Sequence, residues 1–157
     1  MRKSPVRKDV NLAVKNLTIT KTKTYGSAAL DWNGAKLSAS GASKFEGGGY
    51  SVQMQSGEAV FRNVSFSNYY YAGVYLYTSA KFADLGNATQ VGANVFKTDS
   101  PNASAVAIND GRQNTATPIT LSETTVADLP LPAGSYMKAP ANNWYTISSP
   151  TNKIVVY

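Results

Sequence analysis

The apolar residues of this chain alternate in short runs, and the runs return about every 22 residues. Leu17 and Ile19 alternate in NLTIT, Val52 and Met54 in SVQMQ, Val74 and Leu76 in GVYLY, and Val106 and Ile108 in AVAIN. Period two is the signature of a strand with one buried face, and helical periodicity is almost absent. Turn signals bound the runs at Asn33-Gly34, Ser56-Gly57, Thr78-Ser79 and Asp110-Gly111. Gly34, Gly57, Ser79 and Gly111 lie at spacings of 23, 22 and 32, and GNATQVGA (86–93) holds the surplus of the last step. Trp32 fits this register one residue off from its counterparts.

Strand-length runs at such a period predict a solenoid, in which each coil supplies two or three short strands. Coils stack about 4.8 Å apart, so every strand pairs with the one above and the one below. Leucine-rich repeats share the period but need a Leu-rich consensus and a helical segment, and neither is present. An antiparallel sandwich is the main rival, since it too yields short strands between turns. The coils read as 13–35, 36–57, 58–80 and 81–111, with a basic arm at 1–12 and a polar excursion plus C-terminal coil or cap at 112–157. A series of Asn residues before apolar ones (Asn16, Asn63, Asn94, Asn143) is expected to ladder along the axis, with Lys44 breaking it in the second coil. The expected core comprises Leu17, Ile19, Leu30, Phe45, Val52, Val64, Phe66, Val74, Leu76, Phe96, Val106 and Ile108. The chain starts almost in mid-coil with VNLAVKNLTIT. This leaves two expectations: the C-terminal piece of a longer solenoid, or a protomer whose open end a partner covers.

Three stretches carry a resemblance. NVSFSNYYYAGVYLY (63–77), ADLGNATQVGANVF (83–96) and MKAPANNWY (137–145) resemble the late coils of bacterial right-handed parallel β-helix repeat proteins of the pectin-lyase-like superfamily. The resemblance spans roughly 13–145 and rests on structural motifs. It implies an all-β, right-handed parallel β-helix of about four to six coils, secreted or at the cell surface. It also implies a choice between surface modules without catalysis and enzymes that cleave acidic polysaccharides. Fold alone does not make that choice.

Composition narrows the chemistry. With no Cys and no His, disulfides, thiolate or imidazole metal sites and His-dependent triads are excluded. The formal charge of +6 is local: Arg2, Lys3, Arg7, Lys8, Lys15, Lys21 and Lys23 face only Asp9 in the first 23 residues, and the rest is balanced. A solvated leader explains this; an anionic polymer or membrane surface is the functional reading. No apolar stretch reaches the roughly 18 residues of a membrane helix, and residues 1–10 lack the apolar region of a signal peptide. The Tyr run has no interleaved basic residues of the RNA-binding kind, so no nucleic acid partner is expected. GGG (47–49) reads as a tight turn with no phosphate-loop context, and no cofactor or metal is expected.

Of nine acids, Asp31 and Glu58 flank equivalent turns on adjacent coils. There they would stand about 5 Å apart, the separation of a retaining glycosidase pair. Two solvated turn carboxylates are the plainer reading. Asp84 is expected to bond turn amides. Arg62 and Arg112 are the body's two Arg, weak candidates for a lyase base or clamp. The aromatics say more: Tyr69, Tyr70 and Tyr71 precede Gly73, Tyr75 and Tyr77 should point outward between Val74 and Leu76, and Tyr50 stands one coil earlier. The expected outward ladder reads Asp31, Gln55, Tyr77, then Ala105 and Ala107. Tyrosines with an apolar body and a polar tip suit sugar stacking or a protein interface, although strands also favour Tyr for packing. The leading expectation is therefore a non-catalytic extracellular or envelope module, structural or adhesive, binding a polysaccharide or a second copy through Tyr50, Tyr69, Tyr70, Tyr71, Tyr75, Tyr77 and Gln55. A polysaccharide lyase or hydrolase using Asp31 and Glu58, and a phage fibre or spike segment, are the alternatives.

Overall fold

The computed structural model describes residues 9–86, 90, 92–100 and 103–108, and six short strands beyond them. At 78, 79, 81, 82 and 108, and in those six strands, the description is of the backbone alone.

The chain begins with β1 (Asn11–Lys15) and β2 (Thr18–Thr20). Three long–short pairs follow: β3 (Ala28–Ser40) with β4 (Ser43–Glu46), β5 (Tyr50–Phe61) with β6 (Val64–Ser67), and β7 (Ala72–Asp84) with β8 (Val95–Lys97). Then come β9 (Ser104–Ile108), β10 (Pro118–Leu121), β11 (Thr125–Val126), β12 (Leu129–Pro130), β13 (Ser135–Lys138), β14 (Thr146–Ser148) and β15 (Lys153–Val156). One sheet runs β1-β3-β5-β7-β9-β15-β14, and the other runs β2-β4-β6-β8-β11-β12. Pairing from β1 to β9 and from β2 to β11 is parallel. The chain is thus a parallel β-solenoid of about three turns, fewer than the four to six expected. Among the described strands, antiparallel pairing is confined to β10–β13, β11–β12 and β14–β15 at the end of the chain, beside one isolated antiparallel bridge between Ala28 and Gly48, which removes the sandwich rival.

Register shows why the sequence repeats. Leu30, Val52, Val74 and Val106 lie side by side, at steps of 22, 22 and 32 residues. Trp32, Met54 and Leu76 form the next inward column. In the second sheet Ile19, Phe45, Phe66 and Phe96 are stacked partners. The Phe45–Phe66 and Phe66–Phe96 ring centroids are 5.9 and 4.6 Å apart, with Phe61 edge-on to Phe66 at 5.1 Å. All four rings are fully buried, and each contact adds about 0.5–1.5 kcal/mol beyond the area it covers. Among the residues whose burial is described, which leave out Ile108, the expected core holds except at its N-terminal end: Ile19 and Leu30 are only half-buried, and Leu17 is exposed. Leu17 belongs to the first turn, where no earlier coil lies over it among the described residues.

The Gly34 and Gly57 positions do not end coils. They are corners inside long strands, where the register slips between Asn33 and Lys36 and between Gly57 and Glu58. Inward residues accordingly switch parity, from Trp32 to Leu37 and Ala39 in β3 and from Met54 to Ala59 and Phe61 in β5. Gly57 adopts φ 75°, and a Cβ there would lie 2.1 Å from the Gly34 carbonyl oxygen. Ser56 Oγ donates to Asn33 Oδ1 across this corner at 2.9 Å.

A second set of corners precedes the short strands. Extending the register aligns Asn16, Ala42, Asn63 and Ala93, all left-handed with φ of 55°, 63°, 55° and 48°. The expected Asn ladder is thus corrected: backbone handedness defines the column, two of its members are Ala, and Asn94 stands one residue later. Asn94 is fully buried; its Oδ1 accepts from Val64 N at 3.0 Å, and its Nδ2 donates to Phe61 O at 3.0 Å and Leu85 O at 2.9 Å. It ties the return of the inserted segment after Leu85 to the turn beneath. Asn143 lies outside the described residues. The basic leader is corrected too, since Lys15 lies in β1 and Lys21 and Lys23 follow β2 as part of the first turn. Among the described residues no helix is long and apolar enough to cross a membrane.

Candidate binding face of tyrosines

Three loops entering the long strands are packed against each other, and the packing depends on the glycine run. Gly48 N donates to Thr22 O, Gly49 N to Ser27 O, Tyr70 N to Gly48 O and Tyr71 N to Gly49 O, at 3.2, 2.5, 3.1 and 2.7 Å. Gly47 has φ 87°, and a Cβ on it would lie 1.6 Å from the Lys21 carbonyl oxygen. Loops this close deliver Tyr25, Tyr50, Tyr70 and Tyr71 to one place.

The strands add two more. In β7, Val74 and Leu76 are fully buried, so alternation turns Tyr75 and Tyr77 outward. Tyr75 pairs with Gln53, and Gln53 with Asp31, while Ala107 lies on the other side of Tyr75. The outward ladder therefore reads Asp31, Gln53 and Tyr75; Ala105 and Ala107, expected to continue it, are both fully buried. Gln55 and Tyr77 fall where the register slips, two residues beyond it.

The six rings form one unbroken strip. Tyr25 meets Tyr70 at 5.0 Å and Tyr71 at 4.9 Å, and Tyr70 meets Tyr71 at 4.8 Å. Tyr50 meets Tyr71 at 5.7 Å and lies nearly parallel to Tyr75 at 4.5 Å, and Tyr75 meets Tyr77 at 5.8 Å. Tyr25, Tyr70 and Tyr77 present the most surface, at 74%, 41% and 40% exposed, and the other three are half-buried beneath them. Loss of solvent, then a hydrogen bond shared with Tyr25, pushes the Tyr71 hydroxyl well above the usual tyrosine range.

Tyr69 is not part of this face. It is fully buried, alternating inward where Tyr70 turns out, and burial raises its hydroxyl pKa strongly. Tyr25, in contrast, joins the face without having been singled out in the sequence. Its only trace there is that it precedes Leu30 by five residues, much as Tyr70 precedes Val74 by four.

The carboxylates are dispersed. Asp31 pairs with Gln53, whereas Glu58 pairs with Lys36 across the corner, five residues further along the strand from Gln53. That is about 15 Å of extended chain, so the expected pair is not brought together. Asp84 Oδ1 accepts from Gly86 N at 2.8 Å, the turn role foreseen for it, and its Oδ2 accepts from Arg62 Nη2 at 2.7 Å. Arg62 Nη1 also donates to Phe61 O at 2.9 Å, so this cation is built into the wall. Asp99 pairs with Lys23, and Glu46 with Lys44. Among the described residues no three His, Cys, Asp or Glu gather as a metal-holding group. Asp110, Arg112, Glu123 and Asp128 lie outside the described residues.

No family model, curated protein or solved structure matches the chain.

Proposed function

We propose that this protein is a non-catalytic module of the bacterial cell surface, a right-handed parallel β-helix of the pectin-lyase-like kind, that binds polysaccharide on its tyrosine face. The observation that carries this reading is the unbroken strip of six tyrosines on a rigid wall. Flat apolar rings with hydroxyl tips match pyranose rings, which have apolar C–H faces and polar rims. A wall of paired strands holds the rings in place before binding, so little ordering is left to be done on contact. Asp31 and Gln53 extend the strip with polar groups that can bond sugar hydroxyls.

Affinity electrophoresis through gels containing neutral or acidic polysaccharides tests the reading. Retardation by at least one polymer is expected, and it should fall away in a Tyr25→Ser, Tyr75→Ser, Tyr77→Ser triple variant that keeps the β-sheet spectrum. Equal mobility of the two proteins in every gel overturns it.

Self-association is a second reading, favoured by the first turn. Val10, Leu12 and Leu17 are 43%, 38% and 37% exposed beside the outer edges of β1 and β2, which pair with no further strand among the described residues. Such edges recruit further strands. Sedimentation that shows a monomer at every concentration removes this reading. Cleavage of an acidic glycan remains the catalytic alternative, and it needs carboxylates other than the separated Asp31 and Glu58.

A further inference from the structure

We propose that Tyr25 and Tyr70 are an oxidative cross-linking site, coupled through ortho ring carbons into an intramolecular dityrosine by a peroxide-driven one-electron oxidant such as a peroxidase. The inference stands apart from whatever the face binds.

Geometry selects this pair. The Tyr25 and Tyr70 ring centroids are 5.0 Å apart, little more than in two directly bonded benzene rings, and the planes are tilted by 53°. Twisted biaryls with flanking hydroxyls have a similar tilt. The other contacts of the cluster are less suited. Tyr25–Tyr71 and Tyr70–Tyr71 are edge-to-face at 75° and 78°, aiming the edge of one ring at the face of the other. Tyr50 and Tyr75 are stacked face to face at 13°. Access selects the same pair, since Tyr25 and Tyr70 are 74% and 41% exposed while Tyr71 and Tyr50 are half-buried.

The chemistry balances. Each phenol gives up one electron and one proton to become a phenoxyl radical, whose spin density is partly on the ortho carbons. A carbon–carbon bond forms between two ortho positions, and the ring hydrogens there shift to the oxygens, restoring both phenols. Overall two phenols lose two electrons and two protons, and one peroxide is reduced to two waters. The Tyr71 ring packs against both Tyr25 and Tyr70, at 4.9 and 4.8 Å, and keeps the two side by side while this happens.

The link would join the loop before β3 to the corner before β7, closing 45 residues of chain across two turns of the solenoid. Closing a loop of that length restricts the unfolded state and so stabilises the folded one.

The test treats the monomeric protein at low concentration with peroxidase and hydrogen peroxide, then digests it with trypsin. Peptides 24–36 and 63–81 should appear joined with the loss of two hydrogens, and fragment ions should place the bond between Tyr25 and Tyr70. Blue dityrosine fluorescence should sit in the monomer band, and the melting temperature should rise by several degrees. Tyr25→Phe and Tyr70→Phe should each abolish the joined peptide, and Tyr71→Phe should keep it. A bond mapped to other tyrosines, cross-links only between molecules, or no link where free tyrosine couples in the same mixture would overturn the proposal. The wild-type peptide map decides even if a variant folds poorly.

Discussion

The rings of Tyr50 and Tyr75 stack at 4.5 Å and 13°, although their backbones are three positions out of register. Tyr50 pairs with Ala72, and Tyr75 pairs with Gln53. The Tyr50 side chain therefore leans along the wall to cover its neighbour, and this offset joins the loop tyrosines to those of the strand.

If that junction holds a glycan, Tyr75→Ala should weaken binding about two- to twelvefold, the worth of an aromatic contact of about 0.5–1.5 kcal/mol. Tyr69→Phe should leave affinity unchanged, because that ring is inside. Titration calorimetry with whichever polymer retards the protein distinguishes the two.

The phenylalanine stack should be the most sensitive place in the core. Phe66 touches Phe45, Phe61 and Phe96 and has no exposed surface. Phe66→Ala should cost about 3–5 kcal/mol in urea unfolding, and Phe66→Leu clearly less.

Asn94 should be as hard to replace as an apolar core residue. Asn94→Ala leaves Val64 N, Phe61 O and Leu85 O without its amide, and unpaired buried groups cost about 1–3 kcal/mol each. A drop of more than about 2 kcal/mol is expected. Amide exchange should show the Val64 N–H losing protection first.

The left-handed corners offer a gain. Ala42 is exposed with φ 63° between Asn16 and Asn63, which take the same conformation more easily. Ala42→Asn should raise stability by a few tenths to about 1 kcal/mol, read as a later thermal midpoint.

Alkali should act through Tyr69. Its folded pKa is raised by burial above the ordinary 10.0, so the folded state binds the phenolic proton more tightly than the unfolded one. The stability this contributes is fully present below about pH 10 and is lost as pH climbs above it. Tyr69→Phe should flatten that alkaline decline in unfolding midpoints measured from neutral pH upward, at a modest cost near neutrality.

Much of this architecture is legible in the residues. Alternation in SVQMQ and GVYLY, repeated at a constant step, admits few solutions besides stacked parallel strands, because only stacking buries every apolar column at once. Leu30, Val52, Val74 and Val106 line up as their spacing requires. Asp84 makes the turn bond its neighbours Leu85 and Gly86 suggest.

What the tertiary structure alone decided is the register around the corners and the meeting of the loops. One extra residue at a bulge flips the period of two, and the turn signals at Gly34 and Gly57 mark the corners without giving the register across them. Gln55 and Tyr77 fall in that slip and leave the ladder expected of them, while Glu58 keeps the 22-residue step and pairs with Lys36, not Asp31. Tyr25 reaches the aromatic strip because Gly47, Gly48 and Gly49 let three loops approach to hydrogen-bonding distance. The repeat by itself determined which residues line the core, since burial follows periodicity. The composition of the outer face was left to loop packing, which brings together residues whose sequence positions carry no common pattern.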